Sequence, residues 1–190
     1  MISKYWGHRS DSYANNSKKN VNLYSILKKE FQDSIKDYHT HRGDETIVIN
    51  RGSLKQVCSF LRDDPRCSFE MMIDLTAVDR LEMGLTPRFE MVYHFKSLTH
   101  ATRVRIKTVL SDDNCKISSI HHLWKAVDWY ERECFDMFGI YFEGHPDLRR
   151  ILMYDGFEGH PLRKDYPIDK QQPLEKLKEI DERHIYGRNL

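Results

Sequence analysis

The sequence predicts an α+β fold: a mixed or antiparallel sheet of about four or five strands, two or three packing helices and an extended carboxyl-terminal arm. Two adjacent segments, 89–96 and 102–108, alternate apolar and polar residues, as strands with one buried face do. Segments on either side carry apolar residues at helical spacing. We therefore divide the chain into a polar lead-in over 1–20, an α+β domain over 21–139 and a proline-rich docking arm over 140–190.

The first half of the domain predicts two helices and two strands. Apolar residues at three- and four-residue steps predict a helix from residue 23 to residue 35. Residues 47–49 are β-branched and predict a short buried strand. A second helix is predicted to begin after the N-cap residue Ser53 and to end at residues 63–65, and residues 69–75 predict the next strand.

The second half of the domain predicts a hairpin, an edge strand and a long helix. A short connection joins segments 89–96 and 102–108, which favours antiparallel pairing. Residues 116–118 predict a short edge strand. The run from residue 120 to residue 138 predicts a helix that is capped by Ser118 or Ser119 and ended by Gly139, a residue suited to the left-handed conformation.

The segment beyond Gly139 differs in composition from the domain. It holds four of the six prolines, and a proline donates no backbone hydrogen bond to a helix or a sheet. We expect this segment to run as extended chain over another surface. Close to the end of the chain, apolar residues at three-residue steps predict a short helix; these residues are Leu174, Leu177 and Ile180.

Composition excludes several classes of protein. The 30 Lys and Arg residues nearly balance the 29 Asp and Glu residues, so no global field attracts the chain to nucleic acid or to an anionic membrane. No apolar run approaches the ~20 residues of a membrane span. The four cysteines lack the close spacing of a metal-binding pair, and the first residues lack a secretory pattern, so we expect reduced thiols.

The residues that carry potential chemistry are a dense, mixed-sign cluster in the last third of the chain. Glu131 and Glu133 point about 200° apart around a helix and cannot share one small pocket. Arg132 precedes Asp136 by four residues, which predicts an ion pair on the helix surface. We expect the cluster to bind charged groups of another protein. Its members are Glu131, Arg132, Glu133, Asp136, His145, Arg149, Arg150, His160, Arg163, Lys164 and Asp165.

Two other classes of function stay open on the residues alone. A stand-alone, metal-dependent hydrolase would use Glu133, Asp136, His145 and His160, although their spacing is a weak metal signal. A nucleic-acid module would use the basic stripe of residues 103–107. The sequence has none of the usual dinucleotide, triphosphate, acyl-transfer or zinc-protease motifs.

Two motifs resemble a known family. They are ERECFDMFGIYFEGHPDLRRIL, residues 131–152, and YDGFEGHPLRKDYP, residues 154–167. Together they are similar to the 30 kDa subunit of the proton-pumping NADH:quinone oxidoreductases of respiratory complex I. The pattern of residues 20–140 is compatible with that family. Residues 168–190 depart from it, so no contact can be assigned to them by resemblance.

The resemblance implies a non-catalytic structural subunit of the hydrophilic arm that supports electron transfer from NADH to quinone. It implies no catalytic, metal or cofactor-binding residue in this chain, with FMN, iron-sulfur clusters and quinone held by partner subunits. The implied partners are the quinone-site 49 kDa-type subunit and the subunit with the terminal iron-sulfur cluster; no nucleic acid is implied, and membrane contact is through partners.

The resemblance also implies a location and leaves the electron donor open. The implied location is peripheral, on the cytoplasmic side of the bacterial inner membrane or the matrix side of the mitochondrial inner membrane. Related hydrogenases and ferredoxin- or F420-linked complexes use similar subunits, so the donor is less certain than the type of subunit.

Overall fold

The structure, a computed structural model, describes residues 22–172. These residues form a five-stranded mixed sheet, a separate two-stranded sheet and three α-helices, which confirms the predicted α+β class. The predicted lead-in over residues 1–20 and the predicted helix at Leu174, Leu177 and Ile180 lie outside the described residues, and the three predicted domain boundaries stay predictions. Within residues 22–172, no helix is long and apolar enough to cross a bilayer.

The main sheet has the strand order β1-β2-β5-β4-β3. Strands β2 and β5 pair in parallel, and the other neighbours pair antiparallel. The five strands are β1 (Ile35–His41), β2 (Asp44–Ile49), β3 (Met71–Asp79), β4 (Phe89–Ser97) and β5 (Thr102–Leu110). The helices are α1 (Leu23–Glu30), α2 (Leu54–Asp63) and α3 (Val127–Phe138), and the second sheet pairs β6 (Lys116–Ser118) with β7 (Tyr141–Glu143).

The predicted hairpin is confirmed. Strands β4 and β5 pair along their whole length, from Phe89 opposite Leu110 to Ser97 opposite Thr102. Alternate residues of both strands are fully buried, and helix α2 contributes an apolar stripe to the same core. The members of this core from β4, β5 and α2 are Phe89, Met91, Tyr93, Phe95, Val104, Ile106, Leu110, Leu54, Val57 and Leu61.

The prediction of one long helix from residue 23 to residue 35 was wrong. Helix α1 ends at Glu30, and the chain turns at residues 32–34 into edge strand β1. The side chain of Asn22 accepts a hydrogen bond from the Ser25 amide and caps the start of α1. Strand β1 alternates weakly because it pairs with β2 alone and half-buries only Ile35 and Tyr38. Its apolar residues therefore matched the helical spacing by chance.

Two further boundaries differ from their predictions. Helix α3 begins at Val127 rather than near residue 120, because the turn at residues 119–120 is bound to a side chain of α3 itself. Strand β6 exists as predicted, but it pairs in parallel with β7 instead of extending the main sheet. The predicted end of α3 is confirmed, since Gly139 follows it with a left-handed φ of 73°.

Candidate docking site

Helix α3 sends its three acidic side chains in different directions. Glu131 and Asp136 are fully buried, whereas Glu133 is exposed on the outer face. This confirms that Glu131 and Glu133 do not share a pocket. The segment that follows β7, residues 144–172, lies against α3 and against the nearby end of the main sheet, and we call it the strap.

Asp136 is the main attachment point of the strap. Its Oδ2 accepts hydrogen bonds from three consecutive amides, those of Ile151, Leu152 and Met153, at 3.0, 2.8 and 2.8 Å. Its Oδ1 accepts a bond of 2.7 Å from the guanidinium of Arg150. Burial would raise the pKa of Asp136, but these four donors outweigh burial and lower it. The carboxylate therefore stays charged and holds the strap against α3.

The predicted ion pair between Arg132 and Asp136 was wrong. Arg132 donates instead to the backbone carbonyls of Arg149 and Arg150, at 3.2 and 3.1 Å. The partner of Asp136 is Arg150, which lies fourteen residues further along the chain. Arg132 and Asp136 thus hold the same stretch of the strap from two sides, one through its carbonyls and the other through its amides.

Glu131 closes the turn that precedes α3. Its carboxylate accepts hydrogen bonds from the Ser119 hydroxyl at 2.6 Å and from the Ile120 amide at 2.9 Å. His145 lies beside it, with Nε2 3.2 Å from an Asp128 oxygen and 3.9 Å from a Glu131 oxygen. Burial raises the pKa of Glu131 to about 7, and these two hydrogen bonds offset only part of that effect. Burial also lowers the pKa of His145, which Asp128 partly opposes.

A second buried carboxylate, Asp79 at the end of β3, holds the far part of the strap. It receives two bonds from the fork of Arg88, at 3.0 and 2.8 Å, and one of 2.9 Å from the Lys164 amide. Burial would raise the pKa of Asp79, but these donors lower it to about 2. Arg88 also bonds both oxygens of Asp165 and one oxygen of Asp112, so one guanidinium joins three carboxylates.

His160 and Arg163 complete the attachment at the carboxyl end of α3. The Nδ1 of His160 donates to the Asp136 carbonyl at 2.8 Å, and Nε of Arg163 donates to the Phe138 carbonyl at 2.7 Å. Both bonds satisfy carbonyls that the end of a helix leaves unpaired. Gly139 is required beside them, because a Cβ at this position would lie 2.6 Å from the His160 ring and φ is positive.

The eleven residues predicted to dock a partner fall into two groups. Seven are engaged within the chain: Glu131, Arg132, Asp136, His145, Arg150, His160 and Arg163. The charged groups of Glu133, Arg149, Lys164 and Asp165 reach the surface. The reason given for docking, that these charges need counterparts on another protein, was therefore wrong for the first group. Docking itself stays a prediction for the second group.

Sequence reasoning missed the residues of the body that receive the strap. Asp79, Arg88, Asp112 and Ser119 all bond cluster residues, although they lie between 12 and 85 positions away from their partners in the chain. One signal was available for two of them: Asp79 and Arg88 flank the connection between β3 and β4 with opposite charges. That signal indicates an ion pair, but it does not indicate the strap.

The geometry separates the four residues of the hydrolase alternative. Asp136 uses both oxygens to hold the strap, Glu133 faces outward, and His160 is bound to a backbone carbonyl. His145 lies near Asp128 and Glu131 instead. Between residues 22 and 172, no three His, Cys, Asp or Glu side chains are grouped so that they could hold a metal ion. The alternative therefore has no common site on which to rest.

The basic stripe on β5 is partly neutralised. Arg105 donates to the hydroxyl of Thr46 at 3.0 Å, and Lys107 pairs with Glu90 at 2.8 Å. A surface that binds nucleic acid through phosphate contacts needs free cationic groups. The nucleic-acid alternative gains no support from this arrangement.

Comparison with known proteins decides the family. Residues 47–172 match the family described as "Respiratory-chain NADH dehydrogenase, 30 Kd subunit". The chain belongs to this family. Relatives that are named as the C-type subunit of NADH-quinone oxidoreductase include one from Acidithiobacillus ferrooxidans, 42% identical over 77% of this chain and 75% of the relative, and one from Citrifermentans bemidjiense, 46% identical over 75% of this chain and 86% of the relative.

Two solved structures are similar to this member of the 30 kDa family. A trypsin-resistant fragment of Nqo5 shares 25% identity with a TM-score of 0.59, over 66% of this chain and 98% of the fragment. A chain of the archaeal membrane-bound sulfane sulfur reductase has a TM-score of 0.64 over 84% of this chain and 94% of its own length. At 22% identity the second likeness shows the fold alone. The predicted resemblance to the 30 kDa subunit of complex I is confirmed by the family match and by the named relatives.

Proposed function

We propose that this chain is a non-catalytic structural subunit of the hydrophilic arm of a proton-translocating NADH:quinone oxidoreductase. Its membership of the 30 kDa family supports this proposal, together with relatives that are named as a subunit of that enzyme. In this proposal the chain docks on the quinone-site subunit, close to the subunit with the terminal iron-sulfur cluster. It supports electron transfer from NADH to quinone by holding partners in place.

The cofactors of the complex, FMN, iron-sulfur clusters and quinone, belong to partner subunits in this proposal. The cysteines of this chain support that assignment, because Cys58, Cys67 and Cys134 are buried and burial raises the pKa of each thiol. A thiol in that state is a poor metal ligand, since the thiolate is the binding form. The proposed location is peripheral, on the cytoplasmic or matrix side of the membrane.

The strap is the observation that carries the docking proposal. Two buried carboxylates fix its backbone, and Arg149 is left 70% exposed, with a single exposed neighbour, Asp147, at 3.0 Å. A rigid backbone that presents charged groups outward loses little conformational entropy on binding. We therefore assign the exposed face of the strap, and not its buried ions, to the contact with the partner.

Charge reversal at Arg149 tests the proposal. In cells that produce this complex but lack this chain, the wild-type chain should restore the assembled complex and its NADH:quinone activity. Arg149→Glu should reduce the amount of assembled complex several-fold, because a repulsive charge at an interface disfavours association. Activity per assembled complex should stay unchanged. The measurement is native gel quantification together with the rate of NADH oxidation by membranes.

Two controls accompany this experiment. Lys55→Glu reverses an exposed charge on α2, away from the strap, and should assemble normally. Arg163→Glu should also impair assembly, but through loss of its bonds to Phe138 and Asp112, so its melting temperature should fall. A complex that assembles fully without this chain contradicts the structural role. A variant that assembles normally but lowers turnover per complex contradicts the non-catalytic role.

A further inference from the structure

An apolar groove runs between the outer face of α3 and the strap. Its volume is about 350 Å³, and six residues line it: Ala126, Trp129, Tyr130 and Glu133 on the side of α3, and Ile151 and Leu152 on the side of the strap. Both walls are fixed. The amides of Ile151 and Leu152 are bound to Asp136, and the Tyr130 hydroxyl donates to the Ile73 carbonyl at 3.2 Å. The groove therefore exists before anything binds to it.

Large apolar side chains face solvent at this groove. Trp129 is 60% exposed and Leu152 is 58% exposed. The guanidinium of Arg132 lies 5.5 Å from the Trp129 ring and restricts the indole on one side. Tryptophan and tyrosine supply much of the binding energy of protein interfaces when they are held in place and then removed from water. This groove presents both residues on one wall.

The charge of the groove selects what it can bind. Glu133 lies among these apolar groups, and within residues 22–172 it makes no ion pair. Arg132, the neighbouring cation, is already bound to two carbonyls of the strap. A ligand that covers the groove would remove the Glu133 carboxylate from water, and this is unfavourable unless the ligand supplies a cation. The groove is thus suited to an apolar side chain with a basic residue beside it.

We infer that the groove between α3 and the strap receives a segment of a partner subunit that carries a large apolar side chain next to a lysine or arginine. This inference rests on the proposed function and names one contact through which the chain docks. A second copy of this chain is a poor occupant, because a two-fold contact through the groove brings Glu133 against Glu133. The carboxyl-terminal residues of this chain and a second copy are alternatives that the experiment distinguishes.

Crosslinking from the rim of the groove identifies the occupant. The photoreactive residue p-benzoylphenylalanine replaces Ala126 in the full chain, within the assembled complex, and the crosslinked peptide is identified by mass spectrometry. The expected product joins residue 126 to a peptide of a partner subunit that contains a large apolar residue beside a lysine or arginine. A product with residues 173–190 of the same chain, a product with a second copy, or no product overturns the inference.

Substitutions in the groove measure its contribution. Leu152→Asp should reduce the amount of this chain retained in the complex at least about tenfold, since it places a charge in a contact that must become dry. Glu133→Lys should reduce retention several-fold, and reversing the charge of the crosslinked partner residue should restore it. Leu98→Asp is the matched control, because Leu98 is 59% exposed in the connection between β4 and β5; it should stay within about twofold of wild type.

The outcome separates this inference from the proposed function. If the wild-type chain is absent from the purified complex, the proposed function fails. If the wild-type chain is present and Leu152→Asp and Glu133→Lys are retained as well as Leu98→Asp, the inference alone fails. Thermal melting of each variant should match wild type within a few degrees, because the altered side chains are exposed. A reduced retention without a reduced melting temperature supports the contact.

Discussion

The body of the protein, residues 22–143, and the strap, residues 144–172, are held by different forces. In the body, strands β4 and β5 bury alternate apolar side chains completely, and all three helices contribute to that core. In the strap, no residue is fully buried, and the attachment depends on amides and side chains that bind two carboxylates of the body.

This difference has a thermodynamic consequence. Apolar burial is cooperative and spread over many residues, so losing one contact lowers the stability of the whole body. The hydrogen bonds of the strap are directional and concentrated at Asp136 and Asp79, so losing one acceptor releases a segment locally. Variants on the two sides of this division should therefore give different patterns, and not only different magnitudes.

Removing the carboxylate of Asp136 should have the largest effect. Asp136→Ala deprives three amides and the Arg150 guanidinium of their acceptor, and the loss of one partner from a buried charged pair costs about 4 kcal/mol. We expect this loss to appear as local opening. Amide hydrogen exchange at residues 151–153 should accelerate at least about 100-fold, with exchange in β4 changing much less.

The control for Asp136→Ala lies on the same helix. Glu133→Ala removes an exposed carboxylate with no bond to the strap, and exchange at residues 151–153 should stay at the wild-type rate. Equal acceleration in β4 and in the strap after Asp136→Ala would show that the strap and the body open together. The proposed division would then be wrong.

A cavity in the core of the body should have the next largest effect, with the opposite pattern. Leu61 of α2 is fully buried, and Leu61→Ala should lower the free energy of unfolding by about 3 kcal/mol, as buried leucines do when they are truncated. Chemical denaturation followed by tryptophan fluorescence measures this loss. Exchange should accelerate in β4 and β5 as well as in the strap, since the whole unit unfolds. Acceleration limited to the strap would contradict this expectation.

The same division explains what the sequence could predict. The hairpin of β4 and β5, helix α2 and the end of α3 at Gly139 follow from local spacing, because each pattern reports which side chains a neighbouring element covers. The pairing of Asp136 with Arg150 could not be predicted in this way. The rule of four residues along a helix favoured Arg132, whereas the fold brings a cation from fourteen residues away.

Strand β1 and the role of Asp79 show the same limit. Strand β1 pairs with one neighbour and buries little, so its polar sequence carries almost no alternation. Asp79 binds an amide that lies 85 residues later in the chain, and no spacing in the sequence indicates such a contact. Family membership rested instead on motifs of α3 and the strap, which are long enough to be specific without any structural argument.

The smallest effect should come from Glu131, the buried carboxylate that lies on the boundary of the two regions and depends on pH. Its neighbours are Ser119 and Ile120 on the preceding turn, Asp128 on its own helix and His145 on the strap. Because the pKa of Glu131 is raised to about 7 in the folded chain, the folded state binds a proton that the unfolded state releases near pH 4.5. The stabilisation by this proton is complete below pH 4.5 and is lost as the pH rises through about 7.

Replacing Glu131 by glutamine isolates this contribution. The amide of Glu131→Gln reproduces the neutral acid, since its oxygen accepts from the Ile120 amide and its nitrogen donates to the Ser119 hydroxyl. Between pH 5 and pH 8, the free energy of unfolding of the variant should rise relative to wild type by about 2 kcal/mol. Denaturant titrations at both pH values measure the difference, in which the titration of His145 is largely common to the two proteins. A difference that does not change with pH would mean that Glu131 is charged throughout, held so by its two donors despite its burial.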